Sequence, residues 1–364
     1  MLRLRLSAVI PWLCVLVLMQ LSPAVARADL LVTNNKSGEG NILRYDDARG
    51  AFISPFVPNA GFQPLDMTFA PDGNLYVTNG VAMSTDPSEP RAFSVRRYNG
   101  STGSLIDVFA IGGLLHFPQG LAFGSDGNLY VGNQGNAFQG INGVLRYDGK
   151  TGSFLDIFAS TGSLTLFPSL GLAFGPDGNL YLASENNVSG LGEVVRYDAK
   201  SGAFLDIFAS GGGLGSAKDL LFGPDGNLYV STIQTNNPQS ISGVIRYDGQ
   251  SGAFIDVFVR GSGGFQGLAF GPDGNLYVAS NGPNQVSRYD GTTGAFIDAF
   301  ITPGRGGLEA PISLLFFTPE QAVPEPSTLL LLGTGLAFGA AWKRVRRRSG
   351  ADQHIACSLR DRFF

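Results

Sequence analysis

Residues 267–300 read GLAFGPDGNLYVAS, then NGPN, QVSRYD and GTTGAFIDAF, and this unit decides the fold. Residues 268–270 form a short apolar run that ends at Asp273-Gly274-Asn275, a cluster of turn-forming residues in which glycine supplies a positive φ. Residues 276–278, 286–289 and 295–300 give three further short runs of apolar and aromatic residues. The unit therefore predicts a four-stranded antiparallel meander.

Copies of this unit fill the chain between Asp29 and Glu320, but two of its markers occur in different numbers. The Asp-Gly-Asn turn occurs five times, at Asp72, Asp126, Asp177, Asp225 and Asp273. The Arg-Tyr pair of the third strand occurs six times, ending at Tyr45, Tyr98, Tyr147, Tyr197, Tyr247 and Tyr289. A four-stranded sheet with two apolar faces has to pack against neighbouring copies. The repeats therefore predict an all-β, closed ring of blades.

The chain ends account for the missing turn. The first copy begins directly at its second strand, residues 30–32, and residues 312–320 have the pattern of a first strand with nothing after it. Aligning Phe317 with Phe270 places each of the four residues 317–320 on a similar one. A C-terminal strand that completes the N-terminal blade predicts a six-bladed β-propeller of four-stranded blades. An open solenoid would need capping repeats instead.

Residues 1–28 have the pattern of a secretory signal peptide. Arg3 and Arg5 precede an apolar run over residues 6–21, and Ala26 and Ala28 occupy the −3 and −1 positions of a cleavage site after Ala28. The alternative is a retained membrane anchor. In the first interpretation the domain over residues 29–321 is exported.

The predicted exported domain is acidic and lacks cysteine. Residues 29–323 contain 15 Lys plus Arg and 26 Asp plus Glu, which gives a net charge of −11, whereas ten basic residues lie in the two terminal segments. Such a surface argues against nucleic acid as a partner. Cys14 and Cys357 both lie in the terminal segments, so the packing of the ring has to provide stability without disulfides.

The C-terminal segment has three successive parts. Residues 322–327 contain Pro324-Glu325-Pro326, residues 328–342 are apolar, and residues 343–364 begin with a basic cluster. That cluster consists of Lys343, Arg344, Arg346, Arg347 and Arg348. Fifteen helical residues span about 22 Å, less than a hydrocarbon core of about 30 Å, so the pattern predicts a short transmembrane helix with a cytoplasmic basic tail.

Function is expected where the copies differ, at the mouth of the central channel. Polar residues follow the second strands or begin the first strands of several copies. They are Asn34, Asp66, Asn79, Asn133, Glu185, Asp219 and Asn281, with Lys218 beside Asp219. Carboxylate and amide oxygens can hold calcium or another divalent cation, or bind sugar hydroxyl groups. The alternative is that asparagine ends these strands because it tolerates turn conformations.

Two resemblances add to this interpretation. The pattern GLAFGPDGNLYV followed by RYD and TG resembles the NHL and gluconolactonase-like six-bladed propellers over residues 29–320. Enzymes of that kind use Glu, Asn and Asp on a divalent metal to activate a lactone or water, but their residues do not match this chain one by one.

The tail resembles the PEP-CTERM sorting signal of Gram-negative bacteria. That resemblance implies recognition by an exosortase, cleavage near Pro324-Glu325-Pro326, anchoring in the inner membrane with a periplasmic ectodomain, and delivery to the cell surface or extracellular matrix. Residues 349–364 extend beyond the usual end of the signal.

Two functional hypotheses follow. In the first, the propeller is a non-catalytic binding platform for exopolysaccharide or another surface protein. In the second, it is a metal-dependent lactonase or related hydrolase with its site at the channel mouth. His116 is the single histidine between the terminal segments, so chemistry that requires two histidines lacks its residues there. The regular repeats and the absence of a transferable catalytic set favour the binding platform.

Overall fold

The structure is a computed structural model that describes residues 28–36, 40–58, 63–80, 93–112, 114–135, 141–160, 166–186 and 188–318. The predicted signal peptide apart from Ala28, the Pro-Glu-Pro motif, the predicted transmembrane helix and the basic cluster lie outside these residues. Ala26 and residues 319–364 therefore belong to the part of the chain that the structure does not describe. The predicted segment boundaries therefore stay predictions.

The described residues form six four-stranded antiparallel sheets, which confirms the predicted six-bladed propeller. Blade 1 contains β24 (Pro311–Phe317), β1 (Asp29–Asn34), β2 (Asn41–Asp46) and β3 (Phe52–Val57). Blade 2 contains β4 (Gln63–Phe69), β5 (Leu75–Gly80), β6 (Ser94–Tyr98) and β7 (Leu105–Ile111). Blade 3 contains β8 (Pro118–Phe123), β9 (Leu129–Asn133), β10 (Gly143–Tyr147) and β11 (Phe154–Ser160).

The second half of the ring repeats the same order. Blade 4 contains β12 (Leu166–Phe174), β13 (Leu180–Asn186), β14 (Leu191–Tyr197) and β15 (Phe204–Ser210). Blade 5 contains β16 (Ser216–Phe222), β17 (Leu228–Ile233), β18 (Gly243–Tyr247) and β19 (Phe254–Arg260). Blade 6 contains β20 (Phe265–Phe270), β21 (Leu276–Ser280), β22 (Gln285–Tyr289) and β23 (Phe296–Ile301), followed by the 3-10 turn Arg305–Gly307.

Strand direction divides the ring into two faces. The first and second strands of blades 2 to 6 are joined by the Asp-Gly-Asn turns, so these turns lie together on what we call the turn face. The second strands end, and the first strands begin, on the opposite side, which we call the mouth face. All the candidate site residues of the sequence analysis are at or near the mouth-face ends of their strands.

Aromatic rings hold neighbouring blades together. The tyrosine of each second strand in blades 2 to 6 packs edge-on between a phenylalanine of its own fourth strand and a phenylalanine of the next blade. In blade 4, the ring centroid of Tyr181 lies 4.9 Å from that of Phe208 and 5.0 Å from that of Phe222. Such pairs add to the burial of apolar area. The repeated phenylalanines therefore form the inter-blade core.

Each Asp-Gly-Asn turn is tied to the same core. Asp177 Oδ1 accepts the N–H of Asn179 at 3.0 Å, and its Oδ2 accepts the hydroxyl of Tyr181 at 3.1 Å. Gly178 has a φ of 81°, which a residue with a side chain adopts only with strain. The turn thus anchors the core tyrosine, and its carboxylate has a structural role.

Blade 1 closes the ring as predicted, with one correction to its register. Leu30 pairs with Phe316, and the equivalent residue of blade 6, Leu276, pairs with Phe270. Phe316 therefore takes the place of Phe270, and the alignment of Phe317 with that residue was wrong by one position.

Phe317 instead fills the space that tyrosine rings occupy in the other blades. Blade 1 has Leu31 at the tyrosine position, and the ring of Phe317 lies between those of Phe56, at 5.6 Å, and Phe69, at 5.3 Å. The other blades have glycine or alanine where Phe317 stands. At Gly271, a Cβ atom would come within 2.5 Å of the Tyr277 ring. Blade 1 therefore has the smaller residue, Leu31, where the other blades have tyrosine, and the larger residue, Phe317, where they have glycine or alanine.

Candidate functional site

The structure places the seven predicted site residues in two different situations. Asn34, Asn79 and Asn133 are fully buried, whereas Asp66, Glu185, Asp219 and Asn281 keep part of their surface accessible.

The buried asparagines hold the loops of the mouth face. Asn133 Oδ1 accepts the N–H of His116 at 2.7 Å, while its Nδ2 donates to the carbonyl groups of Leu114 and Ile141. Asn34 Oδ1 accepts the N–H of Glu309 at 2.6 Å. Asn79 Oδ1 accepts the N–H of Gln63 at 3.1 Å. Each amide oxygen therefore satisfies main-chain groups of a loop that precedes a first strand.

Asp66 and Asp219 occupy the same strand position in blades 2 and 5, which are opposite in a ring of six. Each lies at an irregularity in the pairing of its first strand, between Pro64 and Met67 or between Ala217 and Leu220. Each carboxylate also reaches the next blade. Asp66 Oδ2 accepts the N–H of Leu121 at 3.0 Å, and Asp219 Oδ2 accepts the N–H of Leu268 at 2.8 Å. The two aspartates thus link neighbouring first strands at the channel wall.

Hydroxyl residues of the second strands complete these links. Thr78 Oγ1 accepts the N–H of Asp66 at 2.9 Å and donates to the carbonyl of Gln119 at 2.8 Å. Ser231 Oγ accepts the N–H of Asp219 at 3.0 Å. Ser231 also donates to the carbonyl of Gln266 in the next blade. The same two-residue arrangement therefore occurs on opposite sides of the ring.

The remaining blades show why only two aspartates are present. Glycine stands at the equivalent position of blades 3, 4 and 6, as Gly120, Gly171 and Gly267, and Ser313 stands there in blade 1. A Cβ atom on Gly171 would lie 2.7 Å from the main-chain nitrogen of Leu220, so the backbone of the next blade excludes a side chain there. Ser313 Oγ donates to Asp66 Oδ1 at 2.8 Å, a contact that Asp219 lacks because Gly171 takes the place of the serine.

The environment of the two carboxyl groups favours their neutral forms. Burial raises the pKa of Asp66 to about 6, although hydrogen bonds from Ser313 and the main chain oppose the shift. Burial, together with the negative charge of Asp66, raises the pKa of Asp219 to about 7. Both residues keep some accessible surface because they line the channel, while protein atoms surround the carboxyl groups themselves.

A second charged group lies on blades 4 and 5 at the mouth. Glu185 accepts a very short hydrogen bond from the hydroxyl of Ser216. Burial lowers the pKa of Lys218 from its usual value, and the carboxylate of Glu185 offsets part of that shift. Lys218 immediately precedes Asp219, so the mouth combines an acid, an amine and a hydroxyl group within two neighbouring blades. Perturbed pKa values in a channel are typical of functional sites.

Several of the oxygen atoms predicted to bind a divalent cation already accept hydrogen bonds. Calcium requires several oxygen atoms that are free to converge on the ion. The amide oxygens of Asn34, Asn79 and Asn133 already accept main-chain N–H groups. Among the residues described by the structure, no three His, Cys, Asp or Glu side chains are grouped so that they could hold a metal. Divalent-cation binding therefore stays a prediction.

The sequence analysis missed Ser216 and Ser313, the hydroxyl partners of Glu185 and Asp66. Ser313 was detectable in principle, because a correct alignment of residues 311–317 with the other first strands places it in the column of Asp66 and Asp219. Ser216 left no such signal. Its contact with Glu185 joins side chains of two neighbouring blades, which the pattern of one copy does not reveal.

Comparison with known proteins identifies one segment and the fold. Residues 322–348 match the PEP-CTERM protein-sorting motif. No curated protein matches the chain. Among the described residues, no helix is long and apolar enough to cross a membrane, and the predicted transmembrane segment lies outside them.

Several solved structures share the propeller fold. A chain of the nidogen/laminin complex is 17% identical, with a TM-score of 0.59 and coverage of 79% of this chain and 98% of that chain. The periplasmic gluconolactonase PpgL of Pseudomonas aeruginosa is also 17% identical, with a TM-score of 0.51 and the same coverage. A protein of unknown function from Bacteroides caccae is 12% identical, with a TM-score of 0.52 and coverage of 80% and 99%. Such low identities show the fold alone.

The sorting motif indicates export and sorting through a membrane-anchored form. The structural neighbours of the ring are six-bladed propellers of the NHL and gluconolactonase-like kind. The chain is therefore a six-bladed β-propeller protein that carries the PEP-CTERM protein-sorting motif.

Proposed function

We propose that the propeller is a non-catalytic binding platform at the cell envelope or in the extracellular matrix, and that its ligand is exopolysaccharide bound at the mouth face. The observation that carries this proposal is the mixed group of Glu185, Ser216 and Lys218 beside Asp219. Acids, amines and hydroxyl groups together donate and accept hydrogen bonds, which suits a ligand rich in hydroxyl groups.

The distribution of structural roles supports the same proposal. The asparagines that a gluconolactonase-like metal site would use are committed to main-chain groups, and Asp66 and Asp219 each accept N–H groups. Among the predicted site residues, Glu185 of blade 4 and Asn281 of blade 6 are therefore left to contact a ligand, together with Lys218 of blade 5. The sorting motif indicates an exosortase-sorted, exported protein, and this supports a ligand outside the cell such as exopolysaccharide.

A binding experiment tests this proposal. The ring, residues 29–318, is titrated calorimetrically with purified neutral and acidic bacterial exopolysaccharides. We expect Glu185→Gln and Lys218→Met to weaken binding about tenfold or more, because each removes a charged hydrogen bond. The matched control is Asp225→Asn on the turn face, which should bind as the unchanged ring does. Equal binding by the mouth variants and the unchanged ring would place the ligand elsewhere, and binding to another surface protein would then be tested.

The second candidate, a metal-dependent lactonase, is favoured by one observation. Two carboxyl groups with raised pKa values face a channel beside an amine with a lowered pKa, a combination that can transfer protons near neutral pH. The melting temperature of the ring is measured with millimolar calcium or magnesium, because a ligand that binds the native state stabilises it. A shift that Glu185→Ala and Asp219→Ala both abolish would support metal binding and justify a lactone hydrolysis assay. If the metal causes no shift in melting temperature, the lactonase loses its support and the binding platform remains the proposed function.

A further inference from the structure

The chain enters and leaves the ring at one place. β1 begins at Asp29 and β24 ends at Phe317, and these two residues are directly paired. In blades 2 to 6 the equivalent strand ends are joined by an Asp-Gly-Asn turn, so the two ends of blade 1 occupy the sixth turn position. Both therefore lie on the turn face.

The ends of the ring are close in sequence to the two apolar segments. The sorting motif begins at residue 322, and the apolar run of the tail begins at Thr328. Eleven peptide units separate Phe317 from Thr328, and even a fully extended chain of that length spans only about 40 Å. The apolar run of residues 6–21 precedes Asp29 on the other side of the same position. Either segment, when it is in a membrane, therefore holds the ring by the turn face.

We propose that the turn face is the membrane-facing surface of the anchored protein, and that the channel mouth with Glu185, Lys218 and Asp219 is presented away from the bilayer. The strands between the two faces contain mostly five to seven residues. At about 3.3 Å per residue, the mouth is therefore about 20 Å farther from the membrane. This inference rests on the sorting motif and the ring topology, and it does not depend on the ligand proposed for the mouth.

The charge of the turn face determines how it meets the membrane. The turns between third and fourth strands also lie there, and their aspartates are partly exposed. These turns contribute Asp148, Asp198, Asp248 and Asp290. An acidic surface is repelled by anionic lipid headgroups. The turn face is thus held near the bilayer by the chain and does not insert into it.

The same geometry determines where the processing enzyme works. Pro324 is seven peptide units beyond Phe317, so it lies within about 25 Å of the end of β24. The exosortase consequently acts in the space between the membrane and the turn face, whereas a ligand of the mouth approaches from the other side. Sorting and ligand binding can therefore occur at the same time without competition.

Fluorescence energy transfer from the ring to labelled lipid tests which face of the ring is turned toward the membrane. Each variant is the full chain with Cys14→Ser, Cys357→Ser and one new cysteine. The new positions form two pairs, and the two positions of a pair lie on opposite faces of the same blade. Pro176→Cys and Pro272→Cys lie in turn-face turns of blades 4 and 6, and Val188→Cys and Pro283→Cys lie in mouth-face turns of the same blades. All four positions are exposed. Each variant is labelled with a donor fluorophore and reconstituted in phosphatidylcholine vesicles that contain headgroup-labelled acceptor lipid.

We expect transfer at least twofold more efficient from the two turn-face positions than from their mouth-face counterparts. The same four substitutions in residues 29–318, which lack both apolar segments, serve as controls for nonspecific adsorption and should show little transfer from any position. Transfer that is equal on the two faces, or stronger from the mouth face, in the anchored chain would overturn the proposal. The calorimetric titration of residues 29–318 is independent of this result, so failure of the orientation and failure of the proposed ligand are distinguishable.

Discussion

Tyrosine hydroxyl groups of the third strands show how much a single hydrogen bond matters in a repeated fold. Tyr197 and Tyr247 occupy equivalent positions, and both are fully buried. The hydroxyl of Tyr247 donates to the carbonyl of Gly211 at 2.9 Å. The hydroxyl of Tyr197 has no hydrogen-bond partner among the residues that the structure describes. The two residues therefore form a natural pair with and without the bond.

We predict that Tyr247→Phe lowers the free energy of unfolding by about 1 kcal/mol, because it removes the bond from the Tyr247 hydroxyl, while the Gly211 carbonyl still accepts the N–H of Leu214. Tyr197→Phe should be neutral or slightly stabilising, since it removes a buried hydroxyl that has no partner among the described residues. Urea denaturation of the ring measures both. Equal losses of stability in the two variants would contradict this explanation.

The two channel aspartates predict a dependence of stability on pH. Burial raises their folded-state pKa values to about 6 and about 7, from the ordinary value of 3.8. Between about pH 4 and pH 7 the folded protein therefore binds more protons than the unfolded chain. The free energy of unfolding should decrease as the pH rises through this range and become constant above it.

Asp219→Asn tests the assignment of this effect. The variant should show a smaller decrease in the free energy of unfolding between pH 4 and pH 7, because its residue does not titrate. Asp225→Asn is the matched control. Hydrogen bonds and Arg246 hold the pKa of Asp225 below its usual range despite partial burial, so its effect lies below pH 4. A slope unchanged in Asp219→Asn would mean that other groups are responsible.

The roles of individual site residues were less predictable than their positions in the strands. The sequence located Asn133 correctly at the end of a second strand, but its role depends on the loop that reaches it from residues 114–116. The pattern of strands and turns in one copy contains no information about such a contact. Asp66 and Asp219 were detectable because they replace glycine in a repeated column, which is a difference that alignment of the copies reveals.

Repetition made the elements predictable, and its interruption produced the one error in register. Five copies have a turn that fixes where the first strand ends, whereas β24 has none, so two consecutive phenylalanines were equally suitable. The decision depends on packing between blades. Phe317 fits only because Leu31 replaces the tyrosine of the other copies.

This exchange predicts coupling between residues 31 and 317. Phe317→Ala should destabilise the ring by about 3 to 5 kcal/mol, as is usual for a buried phenylalanine. Leu31→Tyr alone should also destabilise it, because the new ring would overlap that of Phe317. The double variant Leu31→Tyr with Phe317→Ala reproduces the pattern of blade 2, which has Tyr76 and Ala70 at these positions, so it should lose less stability than the sum of its single changes. Additive losses in a double-mutant cycle would contradict this packing scheme.

At the scale of the whole molecule, closure of the ring is a condition for folding and not a late addition to it. β24 supplies Leu314 and Phe316 to the core between blades 6 and 1, and Leu315 and Phe317 to the core between blades 1 and 2. It also pairs with β1, whose residues are all buried. Without β24, two of the six inter-blade cores are incomplete, and an apolar strand edge is exposed.

We therefore predict that a chain ended at Ala310 does not fold, whereas one ended at Thr318 does. Burial of each large side chain is worth about 2 to 5 kcal/mol, so the loss of four such residues is comparable with the whole stability of a domain, about 5 to 15 kcal/mol. Circular dichroism and gel filtration should show a cooperative thermal transition and a monomer-sized species only for the longer chain. A synthetic peptide of residues 309–318 should restore part of the transition to the shorter chain, and the same peptide with Phe317→Ala should restore less. Equal melting temperatures for the two chains would show that blades 2 to 6 and the remaining three strands of blade 1 are stable as an open ring.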